Sequence, residues 1–390
     1  MKTRILHIVS SLGMGGAETW LLQLVRCWKE LYPEVEFHFL MTSGEEAILD
    51  SDMREIGAKT FYYPLKKGSA LRFIRDFRNL LRTNHYSVVH DHQDFLSGWH
   101  LFFGASVLPK IRVVHVHNPA YQIRENYGVT IGRRLKQKIG QLFISALATH
   151  IGGTSIHALS EYGFTHERFR RQWVGPIYCA LDIPFQSVDR LSARKRLVRE
   201  FGLSCAGPIV LFAGRLDSSV EIGHSQNHKN SRFAVDVIRA VREVNANVVM
   251  LMAGRNEHVL DEFKAMLKAQ GVDENVRLLG LRRDMISLMS GADVLIFPSR
   301  AEGLGMVAVE AQSLGLPVLA STAVPKECVV IDELVRFLPL TESTEVWSQT
   351  LLNIIENAKT DKLLYDVRWS SSQFNILVCT EKLRSIYGFD

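Results

Sequence analysis

Short apolar runs recur along this chain, and segments with apolar positions three and four apart lie between most of them. The first run, residues 4–9 (Arg4-Ile5-Leu6-His7-Ile8-Val9), reads as a buried strand. The loop Ser10-Ser11-Leu12-Gly13-Met14-Gly15-Gly16 follows. A helical pattern from about Ala17 to Lys29 then sets Trp20, Leu21, Leu24, Val25 and Trp28 on one face. Further strands are predicted at Glu36–Met41, Val88–His90, Arg112–Val116, His150–Gly153, Pro208–Ala213, Asn247–Ala253, Val276–Leu279, Asp293–Phe297 and Pro317–Ala320. Strands that alternate with helices give a parallel sheet covered on both faces. In 390 residues, this many strands fit two doubly wound domains better than one large sheet. The two strand series part between Ile183-Pro184 and Pro208, where a charged helix, Ser192–Glu200, is predicted. The expected fold class is α/β, with domains over residues 1–186 and 187–370.

Polar residues follow the strands in a consistent way: Ser10-Ser11, His90-Asp91-His92, His117-Asn118, Thr154-Ser155, Gly214-Arg215, Gly254-Arg255, Gly280-Leu281 and Ser299 to Glu302. Each set falls at a strand's carboxyl end, where open α/β sheets bind ligands, and in two facing domains these ends would line one cleft. The stretch from Asp293 to Ser321 is the most informative. A strand ends at Pro298-Ser299, a loop carries Glu302, Gly303 and Gly305, a helical pattern begins at Met306, and a second strand begins near Pro317. Glu302 and Glu310 flank the turn. Two glutamates alone would suit an ordinary βαβ unit with solvated carboxylates. The glycines between them let a ligand approach the backbone, and the free N–H groups of a helix start can hold an anion or hydroxyls.

Composition narrows the class. The longest apolar runs are far short of a membrane span. Polar Ser10 and Ser11 cut off the N-terminal apolar run, so no signal peptide is expected. The five cysteines are scattered without C-x-x-C spacing, which suits a reduced cytoplasmic protein with no zinc site. Residues 1–185 carry 22 Lys and Arg against 16 Asp and Glu, a net +6, whereas the remainder carries 24 against 25, a net −1. A basic first half suggests an anionic partner, such as a membrane surface or a phosphorylated acceptor. No nucleic-acid motif accompanies it.

Among residues able to do chemistry, Arg215 sits hard against a strand end, and Lys229 lies beyond a long loop, Asp217 to His228. A guanidinium and an ammonium at the mouth of a site suit a diphosphate, although surface cations are common. His115 and His117 share one strand face, as do His90 and His92. His115 is expected in the sheet and His117 at its exposed end. Four histidines raise a metal, but no helical H-x-x-x-H or H-E-x-x-H spacing occurs, so hydrogen bonding to a polyhydroxylated ligand is preferred. Two basic stretches mix cations with apolar residues. One runs from Lys66 and Lys67 through Arg72 and Arg75 to Arg82, and the other from Arg124 to Lys138 with Arg133 and Arg134. Each reads either as a packed helix with a solvated basic face or as an amphipathic helix on anionic lipid.

Together these residues resemble the GT-B nucleotide-sugar glycosyltransferases, specifically the retaining family four. Glu302-Gly303-Leu304-Gly305-Met306 through Glu310 resembles the family's E-x7-E motif. The Gly15-Gly16-Ala17-Glu18 turn, Gly214-Arg215-Leu216, Lys229-Asn230 and His117-Asn118 fall in the order such proteins show. The resemblance implies two Rossmann-like domains, the first for the acceptor and the second for a UDP-, GDP- or ADP-sugar. It implies that Glu310 accepts from the ribose and that Glu302 sits by the donor sugar. Amides of Gly303, Leu304, Gly305 and Met306 would contact sugar and phosphates, with the base near Gly254 and Leu281. Arg215 and Lys229 would neutralise the leaving diphosphate, amides of Gly15 and Gly16 would close over it, and His117 would lie near the transferred sugar. No metal or other cofactor is implied. The final segment, residues 371–390, resembles a terminal helix that returns to the first domain. The interdomain pattern departs from the family's, since Cys179-Ala180-Leu181-Asp182 keeps only its aspartate. The first half and Val324-Pro325-Lys326-Glu327 look most like the exopolysaccharide and capsule branch. That branch implies transfer of a hexose to a polyprenyl-diphosphate-linked glycan or oligosaccharide. The expected location is cytoplasmic, with peripheral attachment to the inner face of the plasma membrane. Two other readings stand beside it: a nucleotide-sugar epimerase of the same fold, and a catalytically silent sugar-nucleotide-binding subunit of a polysaccharide assembly.

Overall fold

A computed structural model describes residues 3–66, 68–120, 130–183, 189–205, 207–216, 227–255, 259–357 and 362–389. The chain divides into two compact units, Met1–Asp182 with Gln373–Asp390, and Ile183–Ser372. Each is built on one parallel sheet with helices between successive strands.

In the first unit the strands are β1 (Thr3–Val9), β2 (Val35–Met41), β3 (Lys59–Tyr62), β4 (Val88–Asp91), β5 (Ile111–Val116), β6 (His150–Gly153) and β7 (Trp173–Pro176), in the order β3-β2-β1-β4-β5-β6-β7. Period-2 alternation decides what each face meets. Leu6 and Ile8 of β1 and Val89 of β4 join Phe73, Phe77, Leu80 and Leu81 of the helix Ala70–Asn84 in one apolar cluster. The opposite face of β1 and β4 presents His7 and His90, against Phe37, Phe39 and the C-terminal Tyr387. A second cluster joins Val114 and Val116 of β5 to Leu101 and Ile144 from the helices Leu96–Gly104 and Ile131–Leu147.

The second unit holds β8 (Ile209–Ala213), β9 (Val249–Ala253), β10 (Val276–Gly280), β11 (Val294–Phe297), β12 (Val318–Ser321) and β13 (Val335–Leu338), ordered β10-β9-β8-β11-β12-β13. β8, β9, β11 and β12 are buried along their whole length, as strands covered on both faces must be. Both orders reverse direction once, between β1 and β4 and between β8 and β11. Those two places are the topological switch points, where the loops at the strands' carboxyl ends diverge and leave a crevice.

Three strands escape the sequence pattern: β3, β7 and β13. All are four residues long and lie at a sheet edge. An edge strand buries less of itself, so no continuous apolar run marks it. The terminal helix also begins later than residue 371. It spans Ile376–Ile386, capped by Asn375, whose side chain accepts from Leu377 N. The residues before it pair with Leu181 through Leu181 N to Phe374 O (2.8 Å) and Ile376 N to Leu181 O (3.1 Å). The helix then lies on Gly16–Leu31, with Thr380 Oγ1 donating to Cys27 Sγ.

Candidate functional site

The second unit's candidate residues gather at its switch point. β8 ends in Gly214 and the exposed Arg215, and β9 ends in Gly254. Gly214 N donates to Ala253 O (2.9 Å) and Gly254 N to Gly280 O (2.8 Å), so the three strand ends are tied side by side. A Cβ on Gly254 would lie 1.8 Å from Gly214 O, and its φ of +155° also disfavours a side chain. Only glycine permits this approach. Leu281 follows β10 with 41% of its surface exposed.

Lys229 comes to the same place. Its stem lies over Gly214, where a Cβ would be 3.4 Å from Lys229 Cδ. Its ammonium donates to Glu302 Oε1 at 2.6 Å and stands 5.5 Å from the centre of the Phe297 ring. Residues 217–226 of the preceding long loop lie outside the described residues. Glu302 is nearly buried, at 9% exposure. Glu310, four residues into the helix Met306–Ser313, carries a carboxyl pushed up to about 7 by desolvation, which the charge of Lys229 partly opposes. One ammonium therefore acts on both glutamates. Gly305 caps the helix at φ +93°, packed so that a Cβ would meet Val324 Cγ1 at 2.8 Å. Gly303, Leu304, Gly305 and Met306 thus run from Glu302 into the helix start, where N–H groups lack helical acceptors.

The first unit's candidates also lie at its switch point. Gly15 caps the helix Gly16–Leu31 in an extended conformation. Glu18 turns back onto this cap, its Oε2 2.3 Å from where a Gly15 Cβ would stand. The backbone at Gly15 and Glu18 hydrogen-bonds the Glu18 carboxyl, while desolvation raises its pKa. This is half of a capping box, so the turn already holds one carboxylate of its own chain. Across the switch, His117 follows β5, half-buried. Its backbone N–H and that of Asn118 donate to Asp94 Oδ1 at 2.8 and 3.4 Å, and Asn118 Nδ2 donates to Asp94 Oδ2 at 3.2 Å. Burial pushes the Asp94 carboxyl up to about 6. Asp94 is thus the residue that positions the His117-Asn118 turn. Sequence alone gave no sign of this beyond its place after a strand.

His117 is not solitary. His7 Nδ1 meets His92 Nε2 at 2.9 Å, and His92 Nδ1 meets His117 Nε2 at 3.0 Å. His90 and His115 stack against the same rings. Burial lowers the pKa of all five, His7 to about 3 and His117 to about 4. His7 was not among the expected candidates; only the adjacency of β1, β4 and β5 brings it in.

The basic residues expected at a membrane surface are only partly available. Lys66 pairs with Glu45 at 3.0 Å, and Arg72 and Arg75 both lie against Asp76, at 3.6 and 2.8 Å. Lys67 and Arg124 lie outside the described residues. Arg133 and Arg134 are exposed on the helix Ile131–Leu147. Arg134, with Lys138, falls on the helix face of Ile131, Leu135 and Leu142, which are 89%, 57% and 63% exposed, whereas Arg133 falls on the side of the buried Gly140 and Ile144. No helix among the described residues is long and apolar enough to cross a membrane.

Comparison with known proteins fits this geometry. EpsF of Bacillus subtilis, named a glycosyltransferase, is 26% identical over 357 residues, covering 90% of this chain and 87% of its own. CapH of Staphylococcus aureus, named a capsular polysaccharide biosynthesis glycosyltransferase, is 24% identical over 388 residues and 98% of each chain. The crystal structure of Anabaena HepE with UDP and glucose superposes with a TM-score of 0.77 at 16% identity over 98% of each chain, a likeness of fold. Residues 14–163 match Glycosyltransferase Family 4, and residues 207–357 match Glycosyl transferases group 1. With a matching fold in both units and both families matched in order along the sequence, the chain belongs to the group 1, family four glycosyltransferases of GT-B fold.

Proposed function

We propose that this protein transfers a hexose from a nucleotide diphosphate sugar to a lipid-linked glycan in the biosynthesis of a surface polysaccharide. The observation that carries the reading is the convergence of Lys229, Glu302 and Glu310 on one switch point, with Arg215 and the Gly303–Met306 backbone beside them. The bond broken joins the sugar's anomeric carbon to the diphosphate, and the bond formed joins that carbon to an acceptor hydroxyl oxygen. Charge builds on the leaving diphosphate. In this reading Arg215 and Lys229 neutralise it, and fixed cations of this kind lower a barrier without reorganising. The reading needs no metal for this step. The acceptor's proton passes to the departing phosphate, and attack on the same face retains configuration. Glu310 accepts from the ribose hydroxyls. Glu302 holds Lys229 until donor arrives and then faces the sugar. The names of EpsF and CapH favour polysaccharide assembly, and the UDP and glucose held by HepE favour a UDP-hexose donor. The exposed cationic and apolar face of the helix Ile131–Leu147 favours an acceptor presented at a membrane.

The test is a panel of UDP-, GDP- and ADP-hexoses, scored for nucleotide release with and without membrane lipid extract. One donor should be turned over in an extract-dependent way, and Glu310→Ala and Lys229→Ala should each lower kcat/KM by roughly 100-fold or more. Donor consumption that ignores the extract and yields an epimeric nucleotide-sugar would replace transfer with epimerisation. Donor binding without turnover would indicate a silent binder.

A further inference from the structure

The histidines on one face of the first unit's sheet form more than a hydrogen-bonded chain. His7 is on β1, His90 and His92 lie at the end of β4, and His115 and His117 at the end of β5, and these three strands are neighbours. Two trios, His7 with His90 and His92, and His92 with His115 and His117, each present ligand nitrogens within 4.8 Å of one another. His92 belongs to both.

A proton relay is the first alternative. The chain His117–His92–His7 ends at His7 Nε2, which is buried without a hydrogen-bond partner among the described residues, so they offer a proton carried inward no exit. Core packing is the second. It would favour apolar rings, because a neutral imidazole brings one donor and one acceptor that burial leaves to be satisfied. His115 is 0% exposed, and among the described residues neither ring nitrogen meets the geometry of a hydrogen bond, although the Ile177 backbone lies near enough to favour its charged form. His90 Nε2 is likewise without a partner among the described residues. Such lone pairs are what a borderline-soft cation takes.

We propose that His92, His115 and His117 form a site for a divalent transition ion of the zinc class, taken through His92 Nδ1, His117 Nε2 and one nitrogen of His115. His92 Nδ1 and His117 Nε2 are 3.0 Å apart. Ligands on a tetrahedral zinc ion with Zn–N bonds of about 2.0–2.1 Å stand about 3.3 Å apart, so a small side-chain adjustment admits the ion in place of the shared proton. The outer nitrogens are already supported as ligating imidazoles require. His92 Nε2 faces His7 Nδ1 at 2.9 Å, and His117 Nδ1 faces Cys179 Sγ at 4.0 Å. An imidazole ligates in its neutral form, so as the ion enters, the shared proton moves to the outer nitrogen of its own ring, facing His7 Nδ1 or Cys179 Sγ. His92 and His117 are half-buried and give the ion a way in. Three imidazoles leave one position of a tetrahedron open. If His117 serves the transferred sugar as the family resemblance implies, an ion held there competes with that role and inhibits transfer.

The experiment titrates chelator-treated, untagged full-length protein with Co2+, whose d–d absorption reports tetrahedral coordination, and then displaces it with Zn2+. One Co2+ per chain should bind, with a tetrahedral band that Zn2+ abolishes. His115→Gln and His92→Gln should each lose the band, His7→Gln should weaken binding roughly 10–100-fold, and His38→Gln, at a buried histidine elsewhere, should leave it unchanged. Circular dichroism checks that each variant is folded; if His115→Gln is not, His117→Gln at its half-buried position gives the same test. The proposal is overturned if folded wild type shows no tetrahedral band, or if the band survives in folded His92→Gln or His117→Gln. Inhibition of donor turnover by Zn2+, reversed by chelator, tests the link to transfer. A band without inhibition leaves the ion site standing and removes His117 from the reaction.

Discussion

At the scale of single residues, Glu310 makes the sharpest demand. Its free-state carboxyl is held near 7, raised from 4.5 chiefly by desolvation. In the function proposed above, ribose hydroxyls donate to it; with Lys229 nearby they would favour the charged form, so nucleotide would lower this pKa and its binding would release a proton below about pH 7. Affinity for the nucleotide should therefore rise with pH up to about 7 and be level above it, with up to roughly a tenfold loss per pH unit on the acid side. Calorimetry of UDP binding from pH 5.5 to 8.5 measures the limb, and Glu310→Gln should abolish it. The same raised value means that ionising Glu310 in the empty site costs the fold stability. That loss sets in as pH rises above the unfolded value of 4.5 and is fully developed above about 7, so the variant's Tm should fall less over this range. Glu302 and Glu310 were legible in the sequence because glycines and a helix start lay between them. Lys229 was harder to place, since a long loop separates it from Arg215. What brings it in is the open space over Gly214, a fact of backbone approach that no spacing rule encodes. Asp94 and His7 had no local signature at all.

Secondary-structure elements were readable where burial is complete and unreadable at the sheet edges, for the reason seen in β3, β7 and β13. Close approach between elements is also invisible in periodicity. The helices Leu96–Gly104 and Ile131–Leu147 cross where Gly98 meets Gly140. A Cβ on Gly98 would stand 2.0 Å from Gly140 O, and one on Gly140 would stand 2.3 Å from Phe95 O. Phe102 and Phe143 stack beside this crossing with centres 4.3 Å apart, and Trp99 Nε1 donates to Lys136 O. Gly132, in the same helix as Gly140, has nothing within 4 Å of its Cβ position. The same substitution should therefore act with opposite signs at two places in one helix. Gly140→Ala should destabilise the chain by about 1–3 kcal/mol through overpacking against backbone that cannot yield. Gly132→Ala should stabilise it by about 0.5–1 kcal/mol through helix propensity and a less free unfolded chain. Urea denaturation of the two variants measures both, and equal shifts would remove the helix crossing as the cause.

At the scale of the whole molecule, the alternation of strands and helices foretold two parallel sheets, but not their strand orders. Order is set by which strands can pair once crossovers fold back. It is what turns scattered residues such as His7, His92 and His117 into neighbours. The charge asymmetry was legible, but its distribution was not, because the structure sets Lys66, Arg72 and Arg75 against acidic partners and puts Arg134 and Lys138 on an exposed helix face with Ile131, Leu135 and Leu142. Membrane attachment, if it occurs as proposed, should therefore run chiefly through the helix Ile131–Leu147. On vesicles containing anionic lipid, Arg134→Gln with Lys138→Gln should cost about 1 kcal/mol per charge at low salt, which for the pair is roughly a 30-fold loss of partitioning, and this loss should shrink as salt screens the surface. Leu135→Ser should weaken binding at every salt concentration, because insertion of apolar surface is not screened. Arg72→Gln with Arg75→Gln should do less than the Arg134 and Lys138 pair, since Asp76 already offsets part of their charge. Cosedimentation with vesicles of graded anionic content reads all three. A chain that partitions as well after the Arg134 and Lys138 changes and the Leu135 change as before them does not dock through this face.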